Sequence, residues 1–316
     1  MRHAPSRAPL LVLGLLAAAA VAAAGAAPVK GDARITVIVS QDASPYLEAL
    51  EGFRGYLEAQ GATMPLDVRT LHGETADADA AVQAARQGNA GLVLTLGSLG
   101  TQAAVRDLHD VPIVAGLVLN VDDLGKAPNA TGVVLEFPVE TELSYLRKLL
   151  PAQRNVGVLY NPAENQARID AALRVAGGLG LTMHARKVEA PRELPEALES
   201  LNRRADVLWG VADQMILNSK TAKPILLFSL RNHIPFVGLS ENWVKAGAVY
   251  ALDRDYRDIG RQCGEMALKI LQGTPPAALP PVPPRKVLYS VNLKSARLLK
   301  LDLGGAVLQA AQAVIE

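Results

Sequence analysis

The sequence predicts an α/β protein built as two similar lobes, each a parallel sheet flanked by helices. Three observations lead there. From Arg34 onward short β-branched runs alternate with longer amphipathic segments, the pattern of strands separated by helices. The alternation restarts after Pro151 as a second series of similar length. The chain has 316 residues and is 50% apolar, so at roughly 100–200 residues per domain it can bury two cores.

In the first series the strands are expected over Ile35–Val39, Leu66–Leu71, Leu92–Leu96, Pro112–Val118 and Thr131–Phe137. Helices are expected near Tyr46–Gln60, Asp77–Gln87 and Thr101–Leu108. Leu47, Leu50, Phe53 and Leu57 recur at three- and four-residue steps with Glu48, Glu51 and Glu58 between them, and Gly61 ends the run. The second series gives strands over Val156–Tyr160, Thr182–Val188, Val207–Val211, Pro235–Leu239 and Ala248–Leu252, with helices near Glu164–Leu179, Glu193–Arg203 and Ser219–Asn232. A long helix over Asp255–Gln272 stops at Gly273. After it, 274–284 is proline-rich and extended, either a connector returning the chain to the other lobe or a surface loop within one lobe. A strand over Lys286–Val291 and a short helix near Leu293–Leu299 follow, and the alanine-rich tail 304–316 has no assigned place.

The N-terminus carries an address. Arg2 and Arg7 precede an apolar run, Leu10–Ala20, and Ala24-Gly25-Ala26 supplies small residues, so 1–26 reads as a secretory signal peptide cleaved near Ala26. The single cysteine, Cys263, is far from that point, so the chain is not read as a lipoprotein; the thiol fits a small buried apolar residue. The expected location is the periplasm. Thirty-two basic and 31 acidic residues, evenly spread, give a net charge of +1 and no basic patch for nucleic acid.

Catalytic chemistry finds few residues to use. Beyond His3 near the N-terminus, the histidines His72, His109, His184 and His233 are scattered singly, so no metal-ligand set, cofactor site or nucleophile–base pair is expected. Polar residues instead recur at the carboxyl ends of strands, where open α/β sheets bind ligands. Ser40 and Gln41 follow the first strand. Gly97, Ser98 and Thr101 follow the third and open a helix, whose free N–H groups suit an anion or serve simply as a cap. Asn120 follows the fourth. In the second series Asn161, Asp213 and Glu241 occupy such positions; the carboxylates suit an ammonium, and Asn161 and Asp213 are equally good caps. An ammonium on one side and an anion on the other describe an amino-acid-like zwitterion, for which Tyr46, Trp209 and Trp243 could form an apolar wall, Trp209 being also a core candidate.

The order of several segments resembles the ABC-transporter substrate-binding family that includes tryptophan- and tyrosine-binding members. These segments are 110–114, 128–133, 156–162, Ala205-Asp206-Val207 with Asp213, 234–236, 246–248, Tyr256 with Gly260, 271–275, and Val291-Asn292 with Ala296. The resemblance implies a type I periplasmic binding fold with the lobes joined by three crossovers. On it, 33–136 with 253–283 form the N-terminal lobe and 137–252 with 284–303 the C-terminal lobe. It also implies a small-molecule ligand taken between the lobes and presented to an ABC permease; a monomer is expected, with a sensor kinase served by the same cleft as the alternative partner and a secreted α/β enzyme as a second alternative. Asn120-Val121 stands where the family commonly has Asp-Pro, so tryptophan or tyrosine is not carried over as the ligand.

Overall fold

The computed structural model describes Met1 and residues 34–316; the expected signal peptide lies outside the described residues. Two sheets organise the chain. The first contains β1 (Ile35–Val39), β2 (Leu66–Thr70), β3 (Leu92–Leu96), β4 (Ile113–Val118) and β5 (Ala130–Val134), all parallel in the order β2-β1-β3-β4-β5. Its inner strands are buried on both faces, which explains why they are near-continuous apolar runs, broken only by Thr36 and Thr95, rather than alternating ones.

Alternate side chains on these strands feed two cores. Val37, Leu92 and Leu94 pack under α1 (Ser44–Ala59), whereas Ile38, Val93 and Ile113 pack under α2 (Thr75–Gln87) and α3 (Ser98–Asp107). The first of these cores also takes a helix from far along the chain, Tyr256–Leu271.

The second sheet is larger. A helix the sequence reading did not assign, α4 (Val139–Leu149), opens it; Leu143, Leu146 and Leu149 form its buried stripe. Then follow β6 (Asn155–Tyr160), α5 (Pro162–Ala176), β7 (Thr182–Lys187), α6 (Leu194–Leu201), β8 (Val207–Trp209), α7 (Ala222–Asn232), β9 (Phe236–Gly238), α8 (Glu241–Ala246) and β10 (Tyr250–Arg254). The chain next forms α9 (Tyr256–Leu271), and later β11 (Val287–Asn292), α10 (Leu293–Leu298), α11 (Gly305–Gln309) and β12 (Ala313–Ile315). The order is β12-β11-β10-β9-β8-β6-β7. This sheet is mixed rather than wholly parallel, because β11 runs antiparallel to β10. The tail finds its place as β12, parallel to β11 at the sheet edge.

The chain passes between the sheets three times: at 135–138, at Asp255, and at 283–286. After the second passage α9 lies against α1 at backbone contact. A Cβ placed on Gly260 would stand 1.9 Å from the Ala49 carbonyl oxygen, and one on Gly52 1.9 Å from that of Arg257. Cys263, on α9, is fully buried under Ala115 and Gly116, and burial pushes its thiol up to about 12. The proline-rich stretch runs along β5, where Val282 N–H donates to Gly132 O at 3.0 Å and Val282 O accepts from Val134 N–H at 3.0 Å. It then enters the second sheet as β11. Charge pins this passage to its neighbour: Arg285 pairs with Asp258 at 2.8 Å and Glu265 at 2.7 Å, and Lys286 with Asp255 at 3.1 Å.

Candidate functional site

Beside these passages, at the carboxyl ends of β8, β9 and β10, lies an open cleft of 830 Å³. Its floor is Trp209, Val237, Tyr250 and Leu252, one face of the second sheet. Phe137, Pro138 and Glu142 close one side, Asn165 and Arg168 of α5 another, and Pro281 and Pro283 the hinge end. The first lobe contributes 119–122 and Val134. Leu119 and Val121 there are 65% and 51% exposed, an apolar lip facing the gap.

Charge in the cleft is organised around Glu142. Arg168 Nη2 pairs with Glu142 Oε1 at 2.8 Å, and its other terminal nitrogen holds Glu136. Trp209 Nε1–H donates to Glu142 Oε2 at 3.1 Å, while the Arg168 guanidinium lies 5.8 Å from the Trp209 ring centre. Burial raises the Glu142 carboxyl above its ordinary value; Arg168 and the Trp209 N–H oppose that shift. The Tyr250 hydroxyl is pushed well up by burial and then by the negative charge of Glu142. At the hinge end Arg254 donates through Nε to Leu135 O at 2.8 Å and stacks 4.6 Å from the Phe137 ring centre, tying the second passage to the first.

The nine residues singled out by sequence are distributed in three groups. Asn120 lines the cleft, its Oδ1 accepting from Asp122 N–H at 3.0 Å. Ser40, Gly97, Ser98 and Thr101 gather at the ends of β1 and β3. Ser40 Oγ accepts from Gly100 N–H at 3.1 Å, Ser98 Oγ donates to Asp123 at 2.9 Å, and the fully buried Thr101 hydroxyl donates to Gly97 O at 2.9 Å. Gly97 has φ +97°, and a Cβ there would strike Ser40 and Tyr46, so this turn admits only glycine. Gln41 is exposed beside them.

In the second lobe Asn161 and Asp213 touch each other and lie outside the cleft lining. Asp213 is 4% exposed, and its carboxylate, offered by the sequence to an ammonium, is engaged by four protein donors. Oδ2 accepts from Asn161 N–H at 2.7 Å and the Asn165 amide at 3.1 Å; Oδ1 accepts from Met215 N–H at 3.1 Å and Ile216 N–H at 3.0 Å. Asn161 caps α5 through Ala163 N–H at 3.1 Å. Glu241 pairs with Lys245 at 2.6 Å, one turn along α8. Trp243 packs on Phe236, with ring centres 5.5 Å apart, on the sheet face away from the cleft.

Sequence reasoning missed Glu142, Arg168, Tyr250 and Arg254. The signal for Glu142 was present: Val139, Leu143, Leu146 and Leu150 after Pro138 have helical spacing. For Arg168 nothing local marks a cleft-facing residue, since an arginine between apolar helix positions reads as a solvated face. Among the described residues no group of His, Cys, Asp and Glu could hold a metal ion, and no helix is long and apolar enough to cross a membrane.

Two α/β lobes joined by three passages, with the cavity between them at strand carboxyl ends, define a type I periplasmic binding fold. Residues 32–315 match the family described as ABC transporter substrate binding protein, and the chain belongs to that family. It is 26% identical over 194 residues to the tyrosine-binding protein of Clostridioides difficile (strain R20291), a match covering 58% of this chain and 55% of the relative, about half of its length. Among solved structures, the ligand-free, open form of a substrate binding protein with adhesive properties from Clostridium difficile has a TM-score of 0.74 at 20% identity, with 90% of this chain and 99% of that one covered. The ABC domain in complex with L-Trp from Streptococcus pneumonia has a TM-score of 0.58 at 20% identity, covering 90% and 100%.

Proposed function

We propose that the protein captures a small amino-acid-like solute in the cleft outside the cytoplasm and hands it to an ABC importer. The observation that carries this reading is the 830 Å³ cleft itself: it lies between the lobes, has an aromatic floor, and holds several charged groups at a hinge. A ligand there stabilises the closed arrangement by touching both lobes at once, which the open arrangement does not offer. Closing covers Leu119 and Val121 and brings the strand-end group Ser40, Gln41, Gly97 and Ser98 toward the gap. The names of the relatives, one tyrosine-binding and one solved with L-Trp, support an amino-acid ligand, and the order of charged, apolar and small residues in 1–26 supports export.

The test is thermal unfolding combined with small-angle scattering on the chain beginning near Ala27, against amino acids, sugars, purines and small carboxylates. A ligand at about 100 times its Kd adds about 2.7 kcal/mol. At about 2–4 °C per kcal/mol that raises Tm by roughly 5–10 °C, with a measurable contraction of the particle. If an amino acid does this, the reading stands; if no compound in the panel raises Tm, it fails.

A further inference from the structure

Two polar groups in the cleft, the outer nitrogens of Arg254 and the hydroxyl of Tyr250, have no hydrogen-bond partner among the described residues. Arg168 answers both Glu136 and Glu142, but Arg254, the other cation lining the cleft, has no carboxylate partner among the described residues. Its Nε is occupied by Leu135 O and its guanidinium carbon stands over the Phe137 ring, so the group is held at two points while its two outer nitrogens make no hydrogen bond with a described residue. Tyr250 is 1% exposed, yet its hydroxyl makes no hydrogen bond with a described residue and is not sealed off, because the side chain lines the cleft. A tyrosine buried to this degree ordinarily has a partner for its hydroxyl.

Tyr250 and Arg254 are four residues apart on β10. Residues at even spacing share one sheet face, and at about 3.3 Å per residue their Cα atoms are separated by roughly 13 Å. Leu252 lies between them, with Trp209 also on the floor. The face therefore offers a pre-positioned fork for an oxyanion at its hinge end, an apolar stretch, and a hydroxyl further in.

We infer that the cleft selects a carboxylate-bearing ligand, with its carboxylate on the outer nitrogens of Arg254 and a second polar group meeting the Tyr250 hydroxyl. The inference rests on the proposed solute-binding role and names the chemistry of that site. A planar guanidinium held by its Nε presents two parallel N–H donors, which match a carboxylate in a way an ammonium does not. Both lone oxygens of the ligand would be satisfied without disturbing the Arg168–Glu142 pair.

The experiment is calorimetry on the wild type, Arg254→Gln, Arg254→Lys and Tyr250→Phe, with L-tyrosine, L-tryptophan and L-leucine each compared with its C-terminal amide. The amide keeps the ammonium and side chain and removes only the anionic end. The wild type is expected to prefer the acid over the amide by about 10- to 100-fold. In Arg254→Gln that preference collapses to within a few-fold, Arg254→Lys restores part of it, and Tyr250→Phe weakens the acid about 3- to 10-fold. Because Arg254 also ties two hinge passages, its loss could weaken all binding; that role would lower acid and amide together and leave their ratio intact. A ratio unchanged in Arg254→Gln overturns the carboxylate contact, and an unchanged affinity in Tyr250→Phe overturns the second contact. If the amides bind as well as the acids, or ribose and other neutral sugars bind while no amino acid does, the inference fails and solute binding stands. No binding by any compound in the wider panel removes both.

Discussion

Replacing Gly260 by alanine measures how far the first lobe depends on a helix that reaches it only after the chain has built most of the second. The added Cβ would meet Ala49 O at 1.9 Å and Phe53 N at 2.8 Å, whereas ordinary carbon contacts lie at about 3.5–4.0 Å. Both obstacles are backbone, so no side-chain rotation relieves them, and α1 and α9 must part by more than about 1 Å over a core that includes Phe53, Leu57, Ile259 and Cys263. Overpacking of this kind costs about 1–3 kcal/mol, and an unyielding neighbour places it at the upper end, about 3 kcal/mol. Alanine's better helix propensity offsets about 1 kcal/mol. The net loss is about 2 kcal/mol, a fall in Tm of about 4–8 °C at 2–4 °C per kcal/mol. Urea unfolding followed by circular dichroism reads this directly. Gly55→Ala is the control: it lies on α1 with nothing within 4 Å of its Cβ, so it should gain about 0.5–1 kcal/mol. If Gly260→Ala is as stable as the wild type while Gly55→Ala shows its gain, the close approach does not limit the packing and the reasoning is refuted.

Two further outcomes follow from the charged groups. Glu142 is held above the ordinary glutamate value of 4.5, chiefly by burial, so the folded state keeps its proton more tightly than the unfolded chain. Wild-type stability relative to Glu142→Gln should therefore be greatest below that value and decline as the pH rises through the raised folded one; urea midpoints that run parallel from about pH 4 to about pH 8 would contradict it. Asp213→Ala leaves the N–H groups of Asn161, Met215 and Ile216 without their acceptor, at about 1–3 kcal/mol for each donor that water cannot reach. A loss of about 3 kcal/mol in urea unfolding is expected, partly recovered in Asp213→Asn, and an unchanged midpoint would sink this account.

The strands of the first sheet were legible because Ile35–Val39 and Leu92–Leu96 are buried on both faces and carry no charge, each interrupted only by a β-branched threonine, Thr36 or Thr95. The end of β10 was less so. Alternation places a strand without marking where it stops, and the two-residue offset between the expected Ala248–Leu252 and the observed Tyr250–Arg254 left Arg254 outside the strand, off the face it shares with Tyr250. At the ends of β1 and β3 the sequence pointed to donors, but whether Thr101 and Ser40 face a ligand or one another depends on φ at Gly97 and the approach of Tyr46, and both are tertiary facts. Asp213 is similar: a carboxylate after an apolar strand fits an ammonium and a cap equally well, and only the loop 213–216 folding over it brings in the two N–H groups it accepts from there.

The route of the chain also sets a timetable. The first core is closed by Ile259, Cys263 and Ala267 of α9, and the edge of β5 by Val282, all of which are synthesised after the strands of the second sheet through β10. Until the chain has been made to about residue 282, β1 through β5 have α2 and α3 on one face but only α1 on the other, where Leu96, Val114 and Gly116 still await Ile259 and Cys263. The half of the molecule that starts first is thus the half that finishes late. During translation that face stays open to solvent, and a chain truncated anywhere between β5 and α9 lacks the helix that closes it and would not fold as an independent half.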